Sequence, residues 1–135
     1  MKRDETNIKY KKLHWLLGRN SKLSIDNKLL IYSLVLKPVW TYGIQLWGSA
    51  AASNINIIQR LQNQILKTIT NAPWFIRNSE LHEHMEIRTV QEEIRRNAAS
   101  YRTRLINHPN ELAVKLTNPV RTKRLKRKPL MADQE

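Results

Sequence analysis

The stretch SNINIIQRLQNQILKTIT, from Ser53 to Thr70, constrains the fold more than any other part of the chain. Ile55, Ile58, Leu61, Ile65 and Ile69 recur at steps of three and four, which is the signature of a helix with one core-facing stripe. Asn71, Ala72 and Pro73 end it. Further on, TVQE at Thr89 to Glu92 matches a capping box, in which hydroxyl and carboxylate satisfy each other's free backbone amides. Val90, Ile94, Ala98, Tyr101 and Leu105 then form a second stripe, and His108 and Pro109 close that helix before a short turn around Leu112 to Leu116.

Nearer the start, NIKYKKLHWLLGR from Asn7 to Arg19 reads as a basic amphipathic helix, with Ile8, Leu13, Leu16 and Leu17 on one side and Gly18 as its stop. Ser24 suits the cap of the next helix, which runs to Pro38 and must bend or restart there. Beyond it Trp40, Ile44 and Trp47 share a face, while Ser33, Lys37, Thr41, Gln45 and Ser49 form a thin polar seam. Gly43 would let another backbone approach closely. No alternating strand pattern, internal repeat or glycine-rich phosphate loop is present. These 135 residues therefore predict an all-α chain, a small helical bundle with a disordered basic tail from 119 to 135.

Charge narrows the function. The formal net charge is +13, and between Asp26 and Glu80 there is no acid, while Lys28, Lys37, Arg60, Lys67 and Arg77 recur. Such a balance points to a polyanion: nucleic acid or an acidic membrane surface. Lys9, Lys11, Lys12, Arg19, Lys22, Lys28 and Lys37 are the candidate phosphate contacts. In the tail, Arg121, Lys123, Arg124, Lys126, Arg127 and Lys128 read as a nuclear import signal or a nonspecific nucleic-acid arm, so a nuclear location is expected, with the cytoplasm as alternative.

Other chemistries find little support. There is no cysteine, which excludes disulfides, zinc knuckles and thiol nucleophiles. The start carries charges without an apolar run, unlike a signal peptide. His82 and His84 with Glu83 or Glu86 are the one cluster of metal-ligand types, but a two-residue spacing sends the rings to opposite helix sides, so surface histidines are expected. The aspartates Asp4, Asp26 and Asp133 offer no close pair for two-metal nucleotidyl transfer. Residues 29 to 52 are apolar enough to suggest a bilayer span, yet Lys37 near the middle would cost roughly 2.5 to 3.5 kcal/mol, so no membrane partner is expected. Trp40 and Trp47 fit a helical core better than exposed stacking, and Trp74 with Phe75 reads as a hydrophobic lid.

The stretch from KLHWLLGRNSKL through KPVWTYGIQLWG, then IQRLQNQILKTITNAPW and HPN near Pro109, resembles the polyprotein of jockey-like non-LTR retrotransposons of arthropods over nearly the whole chain. The resemblance implies a segment just downstream of the reverse transcriptase palm: thumb-like helices in 1–50, a helical region packed on or linked to them in 51–118, and the tail. It further implies an RNA-directed DNA polymerase parent that uses a divalent metal, Mg2+, and a thumb that grips the template–primer duplex. The family's aspartate motif finds no position here, so the chain is expected to be a truncated copy, catalytically inert and without a cofactor or small-molecule substrate of its own. Its expected partners are an RNA:DNA hybrid or duplex and the palm it lacks. A helical protein-interaction module, or an inert pseudogene-like fragment, is the alternative.

Overall fold

The computed structural model describes residues 1–118, and the regular structure within them is helical throughout. Helix α1 spans Lys2–Leu17, α2 Ile25–Ile31, α3 Lys37–Thr41, α4 Ile44–Trp47 and α5 Ala52–Thr70. They are followed by α6 Asn78–His84, α7 Val90–Ile106 and α8 Glu111–Lys115. The basic tail residues Arg121 to Lys128 lie outside the described residues.

Helix α5 carries the core, as its stripe requires. Leu61, Ile65 and Ile69 pack with Tyr10 and Leu17 of α1 and with Tyr32 and Leu36, while Ile55 and Ile58 pack with Trp40, Ile44, Val90 and Ile94. Each fully buried side chain of this size contributes about 1.5–3 kcal/mol, so one helix organises two adjoining clusters. Both clusters draw on residues before and after position 50. Asn71 stops α5 in the left-handed region (φ 50°), a conformation its short polar side chain tolerates.

Helix α1 departs from expectation. It begins at Lys2, and its buried residues are Thr6, Tyr10 and Leu17, whereas Ile8 faces solvent and Leu13 and Leu16 are half-buried. The reason is polar: the Tyr10 hydroxyl hydrogen-bonds Thr68 Oγ1 of α5 at 2.8 Å, and Thr6 donates to the Lys2 carbonyl at 2.8 Å. Satisfied hydroxyls can occupy a face that hydropathy alone would give to Ile8. At the helix end a Cβ on Gly18 would stand 2.8 Å from the His14 carbonyl oxygen, so that turn closes only around glycine.

Ser24 caps α2 by accepting from the Asn27 amide at 3.3 Å. The helix does not stop at Pro38. Instead residues Tyr32–Leu36 widen into a π-turn, with the Lys37 amide bonded to the Tyr32 carbonyl five residues back, and α3 continues through the proline. The wider turn relieves the crowding between the Pro38 ring and the preceding carbonyls. The break falls later, at Gly43, which adopts φ 68°; nothing lies within 4 Å of where its side chain would be, so backbone conformation, not close approach, calls for glycine there.

The capping box forms as expected: Thr89 Oγ1 accepts from the Glu92 amide at 3.3 Å and Glu92 Oε2 from the Thr89 amide at 2.7 Å. Val90, Ile94, Ala98 and Leu105 are buried behind it. The polar seam turns inward at its centre, where Lys37 pairs with the buried Glu93 of α7 at 3.3 Å; Arg96 meets the same carboxylate at 3.2 Å. Among the described residues no helix is long and apolar enough to cross a membrane.

Candidate nucleic-acid interface

Helix α1 lies along α5, and the two leave a cleft of about 470 Å³ between them. Arg3, Asn7 and Lys11, one turn apart on α1, line one wall; Ile57, Arg60 and Gln64 of α5 line the other. A second hollow of about 450 Å³ shares Arg60 and Gln64 and continues past Asn63, Lys67 and Thr68 to Asn78 at the start of α6. The charged groups lining both hollows are Arg3, Lys11, Arg60 and Lys67, all basic. Among the described residues the one acid within ion-pair reach of any of them is Asp4, 3.7 Å from Arg3, with both side chains half exposed. Besides the apolar Ile57 and Leu61, the remaining lining, Asn7, Asn63, Gln64, Thr68 and Asn78, consists of neutral hydrogen-bonding groups. Clustered cations with neutral donors beside them are what a run of phosphates requires.

Of the seven expected contacts in the described residues, only Lys11 falls in this cleft. Lys9 and Lys12 are exposed elsewhere on α1, Lys9 beside Leu34, Val35 and Tyr42, and Arg19 and Lys22 are exposed after the helix end. Lys28 requires correction: it is 5% exposed, and its ammonium donates to the Gly18 carbonyl at 2.9 Å, closing the α1–α2 connection. Lys37 does too, since Glu93 holds it. Conversely Arg60 and Lys67 were visible only as members of the acid-free stretch, and Arg3 was overlooked. Their seven-residue spacing, two helical turns beside the isoleucine stripe, was the available signal.

The cleft's far wall is held by a buried polar network. His82, expected at the surface, is buried: Nδ1 bonds the Ile87 carbonyl at 2.8 Å, and Nε2 lies 2.8 Å from Asn63 Oδ1 and 3.2 Å from Gln59 Nε2. Gln59 Oε1 accepts from the Val90 amide at 2.7 Å, and Gln62 Nε2 donates to the Tyr32 hydroxyl at 3.0 Å and the Arg88 carbonyl at 2.9 Å. Burial, foremost, pushes the Tyr32 hydroxyl up to about 12. Among the described residues no three potential metal-ligating side chains come together.

The aromatics divide. Trp40 and Trp47 meet edge to face at 6.4 Å within the second core cluster, as expected. Trp74 and Phe75 form no lid: they are 89% and 66% exposed, packed edge to face on each other at 6.0 Å.

Fold and site together define an all-helical segment whose polar surface converges on a basic cleft. Comparison with known proteins gives that class a lineage. The chain is 42% identical over 93% of its length to the probable RNA-directed DNA polymerase from transposon X-element of Drosophila melanogaster, and 42% identical over 86% to that of transposon BS from the same species. It is 39% identical over 78% to the RNA-directed DNA polymerase from mobile element jockey of Drosophila funebris. By sequence the chain is thus a homologue of one segment of the jockey-like transposon polymerases, and it spans about 12 to 14% of the length of the curated relatives it matches. No family model matches the chain, and no solved structure does.

Proposed function

We propose that this chain is the thumb-like, nucleic-acid-gripping segment of a retrotransposon RNA-directed DNA polymerase, which binds an RNA:DNA hybrid or duplex through its phosphates and does not itself polymerise. The α1–α5 cleft carries the reading: four cations and a row of neutral donors converge there from two helices that the core holds rigidly side by side. The names of the relatives supply the kind of ligand. Contacts of this type position a strand without reading its bases, so affinity depends little on sequence and steeply on salt. Four neutralised phosphates give a log–log salt slope of about −3.6.

Arg60→Glu with Lys67→Glu tests it. In a salt series with a short RNA:DNA hybrid, the slope should fall to about −1.8 and affinity should drop, while the circular dichroism melt stays in place because both side chains point away from the core. Undiminished binding by the doubly substituted chain overturns the proposal. The exposed apolar residues Leu34, Val35, Tyr42 and Leu46 favour a second role for the opposite face, resting on the remainder of the polymerase; that contact would resist high salt.

A further inference from the structure

Trp74 and Phe75 sit in the turn Pro73–Ile76, closed by the Ile76 amide bonding the Pro73 carbonyl at 3.1 Å. Two large adjacent rings left in water need an explanation, because burying either would stabilise the chain. A largely apolar hollow of about 490 Å³ lies beside this turn, lined by Pro73, Ile76, Leu81 and Met85 with Glu80 and His84 among its polar groups, but neither ring lines it. The rings thus stand outside the nearest shelter. They also lie close in the chain to the end of the basic cleft. Asn78, which lines the cleft's second hollow next to Lys67, is four residues from Trp74, and four residues span at most about 14 Å. Between them is the exposed Arg77, and no acid occurs in the chain between Asp26 and Glu80.

We infer that Trp74, steadied by Phe75, is a stacking platform for unpaired nucleobases, placed where a strand leaves the phosphate-binding cleft. The inference rests on the proposed function and adds to it a preferred ligand: a hybrid or duplex that continues as a single strand. The charge around the turn selects this occupant over an apolar protein surface, since Arg60, Lys67 and Arg77 outnumber the one acid beside the turn, Glu80, and would hold the backbone while the indole face receives a base. Phe75 meets the indole edge to face at 6.0 Å, which orients that ring, and at 89% exposure Trp74 keeps ring surface open to a base.

The test compares a blunt RNA:DNA hybrid with the same hybrid carrying a single-stranded thymidine extension, both titrated against the full chain. The extended ligand should bind about five- to 150-fold more tightly, the range expected for one stacked base. Trp74→Ala should bring the two affinities together, and Trp74→Phe should restore part of the difference. In a Trp15→Phe background, which removes the other strongly exposed indole, oligothymidylate should quench fluorescence, and the additional change Trp74→Phe should abolish the quench. Because Trp74 is 89% exposed, its removal leaves the fold intact. Equal affinities for the two ligands in the unaltered chain, or a difference that survives Trp74→Ala, overturn the inference, the latter pointing to a protein-docking turn. If Arg60→Glu with Lys67→Glu abolishes binding while Trp74→Ala leaves the difference intact, the cleft stands and the platform alone falls; if neither matters, both fall.

Discussion

Replacing Lys28 by Met separates two roles that a lysine in a basic helix can play. A phosphate contact would be exposed and its loss would flatten the salt dependence of binding by about 0.9 in slope, with stability unchanged. In this fold Lys28 is instead 5% exposed, with its ammonium on the Gly18 carbonyl at 2.9 Å. A hydrogen bond from a charged donor contributes about 1.5–3 kcal/mol. Two effects reduce the loss: the Gly18 oxygen keeps the Ser21 amide at 3.1 Å, and methionine relieves the cost of burying an ammonium group. The net expectation is a destabilisation of about 1–2 kcal/mol, which for a domain of this size lowers the melting temperature by about 4–8 °C. Thermal melts by circular dichroism, paired with a salt series against an RNA:DNA hybrid, read both quantities on one protein. A lowered melt with an unchanged slope is the expected pair. An unchanged melt with a slope reduced by one contact would refute the assignment of Lys28 to the fold and return it to the ligand.

Thr89→Ala removes half of the capping box and should cost about 1 kcal/mol, or about 4 °C in the melt. Glu92, whose carboxylate accepts the Thr89 amide, titrates below its ordinary 4.5 for that reason. Its contribution is therefore complete above pH 4.5 and disappears as pH falls through the lowered value, so an acid titration of the melt should be shallower in Glu92→Gln. Tyr32 behaves in the opposite sense: its hydroxyl is pushed from 10 to about 12, so its stabilising neutral form is complete below pH 10 and is lost as pH rises toward 12. Tyr32→Phe should move the alkaline loss of helical signal to higher pH, with the Gln62 amide still bonded to the Arg88 carbonyl.

The stripe of α5 and the cap of α7 were legible because each depends only on residues within a few turns of one another. Ile55 to Ile69 are buried as their spacing demands, and Thr89 finds Glu92 three residues away. Whatever depends on a distant partner was not legible. Tyr10 is buried because Thr68 meets its hydroxyl, and Lys37 is occupied because Glu93 stands opposite. Neither partner can be inferred from local pattern, so a hydropathy reading put Ile8 on the buried side, made no mention of Tyr10 and offered Lys37 to a ligand. The cleft failed for the same reason in reverse: Arg60 and Lys67 become a site only once α1 brings Lys11 and Arg3 beside them.

The geometry of α5 explains how one helix serves core, scaffold and site at once. At 100° per residue its isoleucine stripe with Leu61, Gln62 and Leu66 occupies one sector, Gln59 and Asn63 the next, and Arg60, Gln64 and Lys67 the third. The first sector packs the two core clusters and, through Gln62, holds the Arg88 carbonyl, the second fastens α6 and α7 through His82 and Val90, and the third faces the cleft. Changes in these sectors should accordingly be separable: core truncations lower stability by about 2–5 kcal/mol, whereas charge reversals in the third sector leave the melt in place and alter only what the cleft holds. The second sector couples them, because Asn63 both bonds His82 and lines the hollow beside Lys67, so the position of Asn78 and of the turn before it depends on a network no cleft residue reveals by its charge.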